Sequence, residues 1–358
     1  MWGRYNWPMV RVLRATQAEL DAAVQALRDG ELVAFPTETV YGLGAHAGHP
    51  VALRRVFELK GRPLSHPLIV HLDSVRYLSR WAREIPPAAE KLAAAFWPGP
   101  LTMVLPRAFN IHPLVTGGQD SIAVRVPSHP MAQQLLTAFG GGIAAPSANR
   151  YGRLSPTRAE HVREEFGDEL RLVLDGGDSK IGLESTIVAC LDGSVRLLRP
   201  GSISVSALRS VVGEVLTGQL ADAPRVPGSQ RAHYAPTTPL QIVSAGEIEQ
   251  LASEMSATGL RIAVLAQRAP LRAHQFVTWI NSGTRPDAYA HELYAHLRAL
   301  DRSACAHILV QAVPDDERWD AVRDRLMRAA AASAADPLAD GANDSAGEDD
   351  SLAVNVVS

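Results

Sequence analysis

Short apolar runs and amphipathic helical stretches take turns along most of this chain, and that alternation leaves few folds open. TQAELDAAVQALRDG begins at the capping hydroxyl of Thr16, carries apolar residues at helical spacing and stops at Gly30, and the strand-like run ELVAF follows at once. ALRRVFELKG is a second helix, leading through RPLSHP into LIVHL. PPAAEKLAAAFWPGP is a third, halted by Pro98 and followed by LTMVLP. SIAVRVP, GGIAAPSAN, LRLVLDGG, STIVACL and SVRLLRPG add further strands. A mixed, twisted open α/β sheet with flanking helices is therefore expected over residues 10–215.

The pattern breaks at DAPRVPGSQRAHYAPTTP, which is rich in Pro and Gly and too long for a tight connection, so residues 216–238 read as a linker. PLQIVSA, LRIAVLA, QFVTWIN and AHILVQAV alternate with helices such as DAYAHELYAHLRALDRS and ERWDAVRDRLMRAAAA. They define a smaller C-terminal α/β domain of Rossmann-like type over residues 239–333. Residues 334–358 are acidic and poor in aromatics, and are expected to be disordered. With 358 residues, 46% of them hydrophobic, the chain can fill two cores. A net charge of −3 argues against a broad basic surface for duplex nucleic acid but leaves room for a local cluster at Arg54, Arg55, Lys60 and Arg62. Cys190 and Cys305 lie outside any metal-ligand spacing and read as free thiols of a reducing cytoplasm. The first twenty residues lack a signal-peptide core and no run is long enough to span a membrane, so a cytoplasmic protein is expected.

Chemistry concentrates at a few strand ends. FPTETVYGLG crowds Thr37, Thr39 and Tyr41 between a proline and two glycines, and KGR offers Lys60 and Arg62 around a residue that can bend sharply. Lys-Gly-Arg is either an anion site or a solvated helix end where cations favour the dipole. In APSANRYGRLSPT, Ser147, Asn149 and Ser155 follow an apolar run, either as turn formers or as ligand groups at the carboxyl edge of an open sheet. LESTIV and LLRPG repeat the theme with Ser185 and Arg199. His46 and His49 have no third ligand at a sensible spacing, so structural roles are expected and no metal site is assigned. Neither a dinucleotide fingerprint nor a Walker loop nor a nucleophile elbow is present, which leaves covalent catalysis without a candidate.

FPTETVYGLG, KGRP with PLIVH, WPGPLT, IAVRVPSHP, AAPSANRYGRLSPT, GLESTIV and RLLRPG occur in an order and spacing that resemble the threonylcarbamoyladenylate synthases, with their YrdC-like catalytic domain. PGSQRAHYAP, ELYAHLRALD and RWDAVRDRLMRAA resemble the linker and C-terminal domain of the family's long form, so the likeness covers all but the tail. It implies condensation of L-threonine, bicarbonate and ATP, taken with Mg²⁺, to threonylcarbamoyl-AMP and pyrophosphate. The product feeds a tRNA-modifying threonylcarbamoyl transferase complex acting beside the anticodon, and a transient tRNA contact is left open.

By the same resemblance Thr39, His71, Arg125, Ala145 (through its backbone) and Ser185 fall at threonine-binding positions, with Arg125 suited to the carboxylate. Arg62, His66, Ser121, Ser147, Asn149, Ser155, Arg199 and Tyr234 fall at nucleotide-binding positions, and Lys60 and Arg62 are expected to act on the reacting phosphates. Tyr234 sits in the linker, which implies a segment folded over the active site. Two positions depart from the family pattern. His66 stands where Asn is usual, and Ala232 stands where Arg precedes the His-Tyr pair, with Arg231 expected to substitute. Two other functions remain in play: binding of structured RNA without catalysis, and a carbamoyltransferase of the hydrogenase-maturation type, whose additional modules this sequence lacks.

Overall fold

A computed structural model of the chain describes residues 11–14, 16–218 and 223–334. Among them ten strands form one sheet, in the order Arg11–Arg14, Leu172–Asp175, Val33–Phe35, Gly42–His46, Ile143–Ala144, Ile69–His71, Ser121–Arg125, Leu101–Pro106, Thr186–Leu191 and Ser194–Arg199. Parallel and antiparallel neighbours interleave, giving the mixed sheet expected from the alternation of elements. Register does the positioning. His71 pairs with Arg125, and Arg125 with Thr102, so three polar side chains from adjacent strands stand in one row within an otherwise apolar sheet.

The helix Gln17–Arg28 starts where the Thr16 amide donates to Glu19 Oε2 at 2.9 Å. The helix Pro50–Lys60 begins with His49 Nδ1 accepting the Ala52 amide at 3.2 Å and Pro50 in the first turn, and it ends at Gly61 in the left-handed region. His49 is thus a cap and His46 Nδ1 accepts the Gly48 amide; among the described residues no cluster suited to a metal ion occurs. Because the second helix stops at Lys60, that side chain is buried under the sheet end and Arg62 turns into the following loop.

The second domain has a four-stranded parallel sheet in the order Leu240–Val243, His307–Gln311, Ile262–Ala266 and Val277–Asn281. Successive residues of Ile262–Ala266 serve opposite faces. Ala263 and Leu265 pack with Tyr289, Leu293 and Leu297, while Ile262, Val264 and Ala266 pack with Ile248 and Ala252. The first of these cores does not end at the domain edge, because Val40, Leu154, Leu183 and Tyr234 belong to it. The two domains therefore share apolar packing exactly where the linker and three loops of the large sheet meet. No described helix is long and apolar enough to cross a membrane, and the acidic tail lies outside the described residues.

Candidate active site

The loops after the strand ends enclose a cavity lined by Thr37, Thr39, Arg62, His71, Arg125, Ala145, Ser147, Glu184, Ser185, Arg199, His233 and Tyr234, with apolar neighbours between them. Thr37 organises the first wall. Its hydroxyl donates to Val40 O at 2.6 Å and accepts the Thr39 and Val40 amides, folding the residues after Pro36 into a tight turn. That turn delivers the Thr39 hydroxyl to Arg125 Nη1 at 2.8 Å and the Glu38 carboxylate to Arg125 Nη2 at 2.7 Å. Burial pushes the Glu38 carboxyl up, but Arg125 and the hydrogen bonds outweigh it and hold the group ionised below its ordinary range. Arg125 is thus already paired, which adds a partner to the substrate role the resemblance implies for it. His71 beside it is held down to about 3 by burial and then by the Arg125 charge, so the imidazole is neutral, and its buried Nδ1 has no partner in the protein.

The opposite wall carries charge of the other kind. Arg62 donates from Nη2 to Pro67 O at 2.9 Å, while its buried Nε finds no acceptor. Arg199 donates to Ser185 O from Nε at 3.1 Å and from Nη2 at 2.9 Å, and to Pro227 O from Nη1 at 2.8 Å. Neither forms an ion pair with a carboxylate among the described residues. Burial lowers the pKa of both, that of Arg62 to about 10, the signature of cations taken from water without full compensation. Ser185 stands between the walls, its hydroxyl 2.7 Å from Thr102 Oγ1 and 3.2 Å from Arg199 Nη2.

The linker closes the third side. Tyr234 is 2% exposed, adopts a left-handed backbone with φ 59°, and meets Arg199 through its hydroxyl at 3.4 Å. A bulky residue held there stores about 1–3 kcal/mol of strain, which its surroundings must outweigh. They include the His233 ring at 4.1 Å between centroids and the Arg325 guanidinium, 5.1 Å from the Tyr234 ring.

Nine of the residues that the resemblance places at substrate positions thus converge: Thr39, Arg62, His71, Arg125, Ala145, Ser147, Ser185, Arg199 and Tyr234. Ala145 already donates its amide to Ile69 O, so any backbone contact to a ligand has to come from its carbonyl. Five others stand behind the wall or beside it. The Lys60 ammonium is spent on two carbonyls, those of Ser147 (2.7 Å) and Asn149, and so holds the turn instead of facing the cavity. The Asn149 amide bonds Arg150 O and Arg153 O, and the Ser155 hydroxyl donates to Glu184. Ser121 opens a strand opposite Pro106, away from the lining. His66 reaches the linker, with Gln230 Nε2 3.3 Å from its ring and Tyr151 stacked obliquely at 5.4 Å. Arg231, expected to substitute for the arginine usual before the His-Tyr pair, has an exposed side chain, and the Arg328 guanidinium bonds Gln230 O in the linker. Sequence reasoning passed over Glu38, Glu184 and His233. For Glu184 a signal was there, since a carboxylate inside a run as apolar as LESTIV is buried only with a partner, though the partner itself is not readable from the spacing.

Fold and cavity define a two-domain α/β protein whose buried, cation-lined site is shared by the large sheet and the linker. Residues 25–201 match the family model described as telomere recombination (Sua5, YciO, YrdC), and residues 203–331 match the model for the threonylcarbamoyl-AMP synthase C-terminal domain. The threonylcarbamoyl-AMP synthase of Pyrococcus abyssi is 38% identical over 88% of this chain and 95% of its own length; that of Bacillus subtilis is 38% identical over 89% and 94%. The crystal structure of Pyrococcus abyssi Sua5 complexed with L-threonine superposes with a TM-score of 0.84 at 37% identity, covering 91% of this chain and 98% of that one. This chain belongs to the threonylcarbamoyl-AMP synthase family.

Proposed function

We propose that the cavity condenses L-threonine, bicarbonate and ATP into threonylcarbamoyl-AMP and pyrophosphate. The observation that carries the reading is the pair Arg62 and Arg199, buried cations that line the cavity with no carboxylate of their own. An anionic ligand restores what burial removes, and a triphosphate brought in as its Mg²⁺ complex has the charge to satisfy both. Threonine's amine first captures bicarbonate as a carbamate with loss of water. A carbamate oxygen then forms a bond to the α-phosphorus while the bond to the bridging oxygen breaks, and pyrophosphate leaves with that electron pair. Such a weak nucleophile gains most from being held in line and from fixed cations around the phosphates.

On the threonine side, Thr39, Ser185, His71 and Arg125 offer hydroxyls, a neutral imidazole and a guanidinium whose orientation Glu38 fixes. On the nucleotide side stand Arg62, Ser147, Arg199 and Tyr234, with Lys60, Asn149 and Ser155 supporting them from behind. The linker covers the reacting atoms and keeps water from a mixed anhydride that would hydrolyse. The adenylate then passes to the machinery that threonylcarbamoylates adenosine next to the anticodon in tRNA. Pyrophosphate release with ATP, Mg²⁺ and bicarbonate, supplied with each amino acid in turn, tests the reading. Release should depend on threonine and fall on the order of 100-fold in Arg62→Ala. Release indifferent to the amino acid would refute the reading.

A further inference from the structure

We propose that Arg325, on the C-terminal domain's last helix, is a positioning residue for the active site, acting through Glu184; this rests on the synthase reading above. Glu184 lines the cavity and is buried, and it is followed directly by Ser185. Its carboxylate is held by groups from two domains: the Ser155 hydroxyl from the large one, and from the small one the Tyr294 hydroxyl at 3.0 Å and Arg325 Nε at 2.7 Å. Arg325 is 1% exposed and 141 positions away in sequence. Its Nη1 is fixed by Asp324 at 2.7 Å, its Nη2 has no acceptor in the protein, and its face lies against Tyr234. One side chain of the second domain therefore touches both the wall that carries Ser185 and the tyrosine that closes the cavity.

Removing that cation leaves a buried carboxylate whose remaining cationic neighbour is Arg199. Arg199 is the residue that ties Ser185 to the linker through Pro227 and Tyr234. A Glu184 stripped of Arg325 would draw the Arg199 guanidinium toward itself, at the expense of the linker and of the Ser185 hydroxyl. The second domain thus supplies the counter-charge that leaves Arg199 available to the cavity, beyond anchoring the linker.

The test is steady-state pyrophosphate release by the full chain, with wild type alongside, at a temperature well below each variant's melting point. Wild type making pyrophosphate with threonine upholds the synthase reading independently of what the variants do. Arg325→Met should raise the apparent KM for both ATP and threonine about tenfold or more in folded protein. Arg325→Lys, which keeps the charge, should bring both back to within about threefold of wild type. Arg325→Met combined with Glu184→Gln should have KM values closer to wild type than Arg325→Met alone, because the stranded charge is gone. A lowered melting point with unchanged KM values would overturn the proposal and make the pair a structural clamp only. So would a double variant as impaired as the single one. If Arg325→Met does not fold, Arg325→Gln, which keeps hydrogen-bond donors but loses the charge, takes its place; its KM values for both substrates should rise about tenfold, and unchanged KM values in folded Arg325→Gln would overturn the proposal.

Discussion

Replacing Gly228 by alanine isolates the linker from the rest of the catalytic apparatus. Gly228 has φ 77°, and a methyl carbon built there falls 1.8 Å from Tyr234 Oη, 2.9 Å from its Cζ and 3.3 Å from Arg199 Nη1. Tyr234 has little room to yield, pressed between His233, Arg325 and the Tyr294 ring at 6.1 Å. The left-handed backbone costs alanine about 1–2 kcal/mol, and forcing an extra carbon into a filled site costs a further ~1–3 kcal/mol. Together these amount to about 2–5 kcal/mol against the seated linker, on the order of 30- to 3,000-fold in its population at about 1.4 kcal/mol per tenfold. The large sheet and the second domain keep their cores, so the cost falls on local seating and the global melting point should move by only a few degrees.

An ATP titration of pyrophosphate release should then show the apparent KM raised at least tenfold, since binding is weakened by the fraction of chains still competent. Tryptic cleavage at the exposed Arg231 should quicken in parallel. Gly193→Ala is the matched control. It has φ 75° in the turn between Leu191 and Ser194, with nothing within 4 Å of the added carbon, so it carries the backbone cost without the collision. Ordinary ATP dependence in Gly228→Ala, with Arg231 cleaved no faster than in wild type, would refute the seated-linker account. An equal KM effect in Gly193→Ala would show that the response is not specific to the linker.

Other outcomes follow from the buried groups. Lys60→Met strips the Ser147 and Asn149 carbonyls of their donor, and at about 1–3 kcal/mol for each buried unsatisfied group it should lower the melting temperature markedly. Turnover should fall with it, since Ser147 lines the cavity; a variant as stable as wild type would show that the ammonium is dispensable to the turn. His71 and His161 both lie near a pKa of about 3, against 6.5 for the ordinary imidazole, with burial as the first cause. Their unfolded forms bind more protons below pH 6.5, so their contribution is complete above that pH and is lost on acidification toward 3, at up to about 1.4 kcal/mol per pH unit for each. Denaturant melts at pH 7, 5.5 and 4.5 should show that slope, and His161→Asn should flatten it; an unchanged slope would mean that His161 is protonated in the fold.

Much of the site was legible because it lies at strand ends, where local chemistry and local structure coincide. Thr39 and Ser147 each follow an apolar run beside a proline, and Ser185 stands just before the apolar run of STIVACL beside a further hydroxyl, so short-range patterning was enough to single them out. Glu38 and Glu184 were not legible in that way. Their partners Arg125 and Arg325 lie 87 and 141 positions downstream, and nothing in the spacing of either acid announces which arginine neutralises it. Lys60 shows the converse: the residue type suggested a phosphate ligand, but the helix that ends on it points the ammonium under the Ser147 turn, where carbonyls absorb it. The helices Pro130–Phe139 and Ala159–Phe166 escaped the periodicity reading too, although His129-Pro130 and Gly140 bracket the first with ordinary start and stop signals.

On the proposed reading the charges of the cavity divide the work between the two substrates. Arg125 faces a carboxylate of the protein at 2.7 Å, so a ligand that approaches it meets an oriented hydrogen-bond donor whose charge is already balanced. Threonine arrives as a zwitterion without net charge, and on the proposed reading a balanced donor with neutral His71, Thr39 and Ser185 recognises it by geometry more than by field. Arg62 and Arg199 are the reverse, cations buried without carboxylate partners, and they favour whichever ligand brings the most negative charge. On that reading such a wall holds a triphosphate and keeps its grip as charge shifts onto departing pyrophosphate. Had Glu184 been left to Arg199, the two walls would have become alike. The cation supplied by Arg325 from the second domain keeps them different, which gives the longer chain a chemical reason to carry that domain.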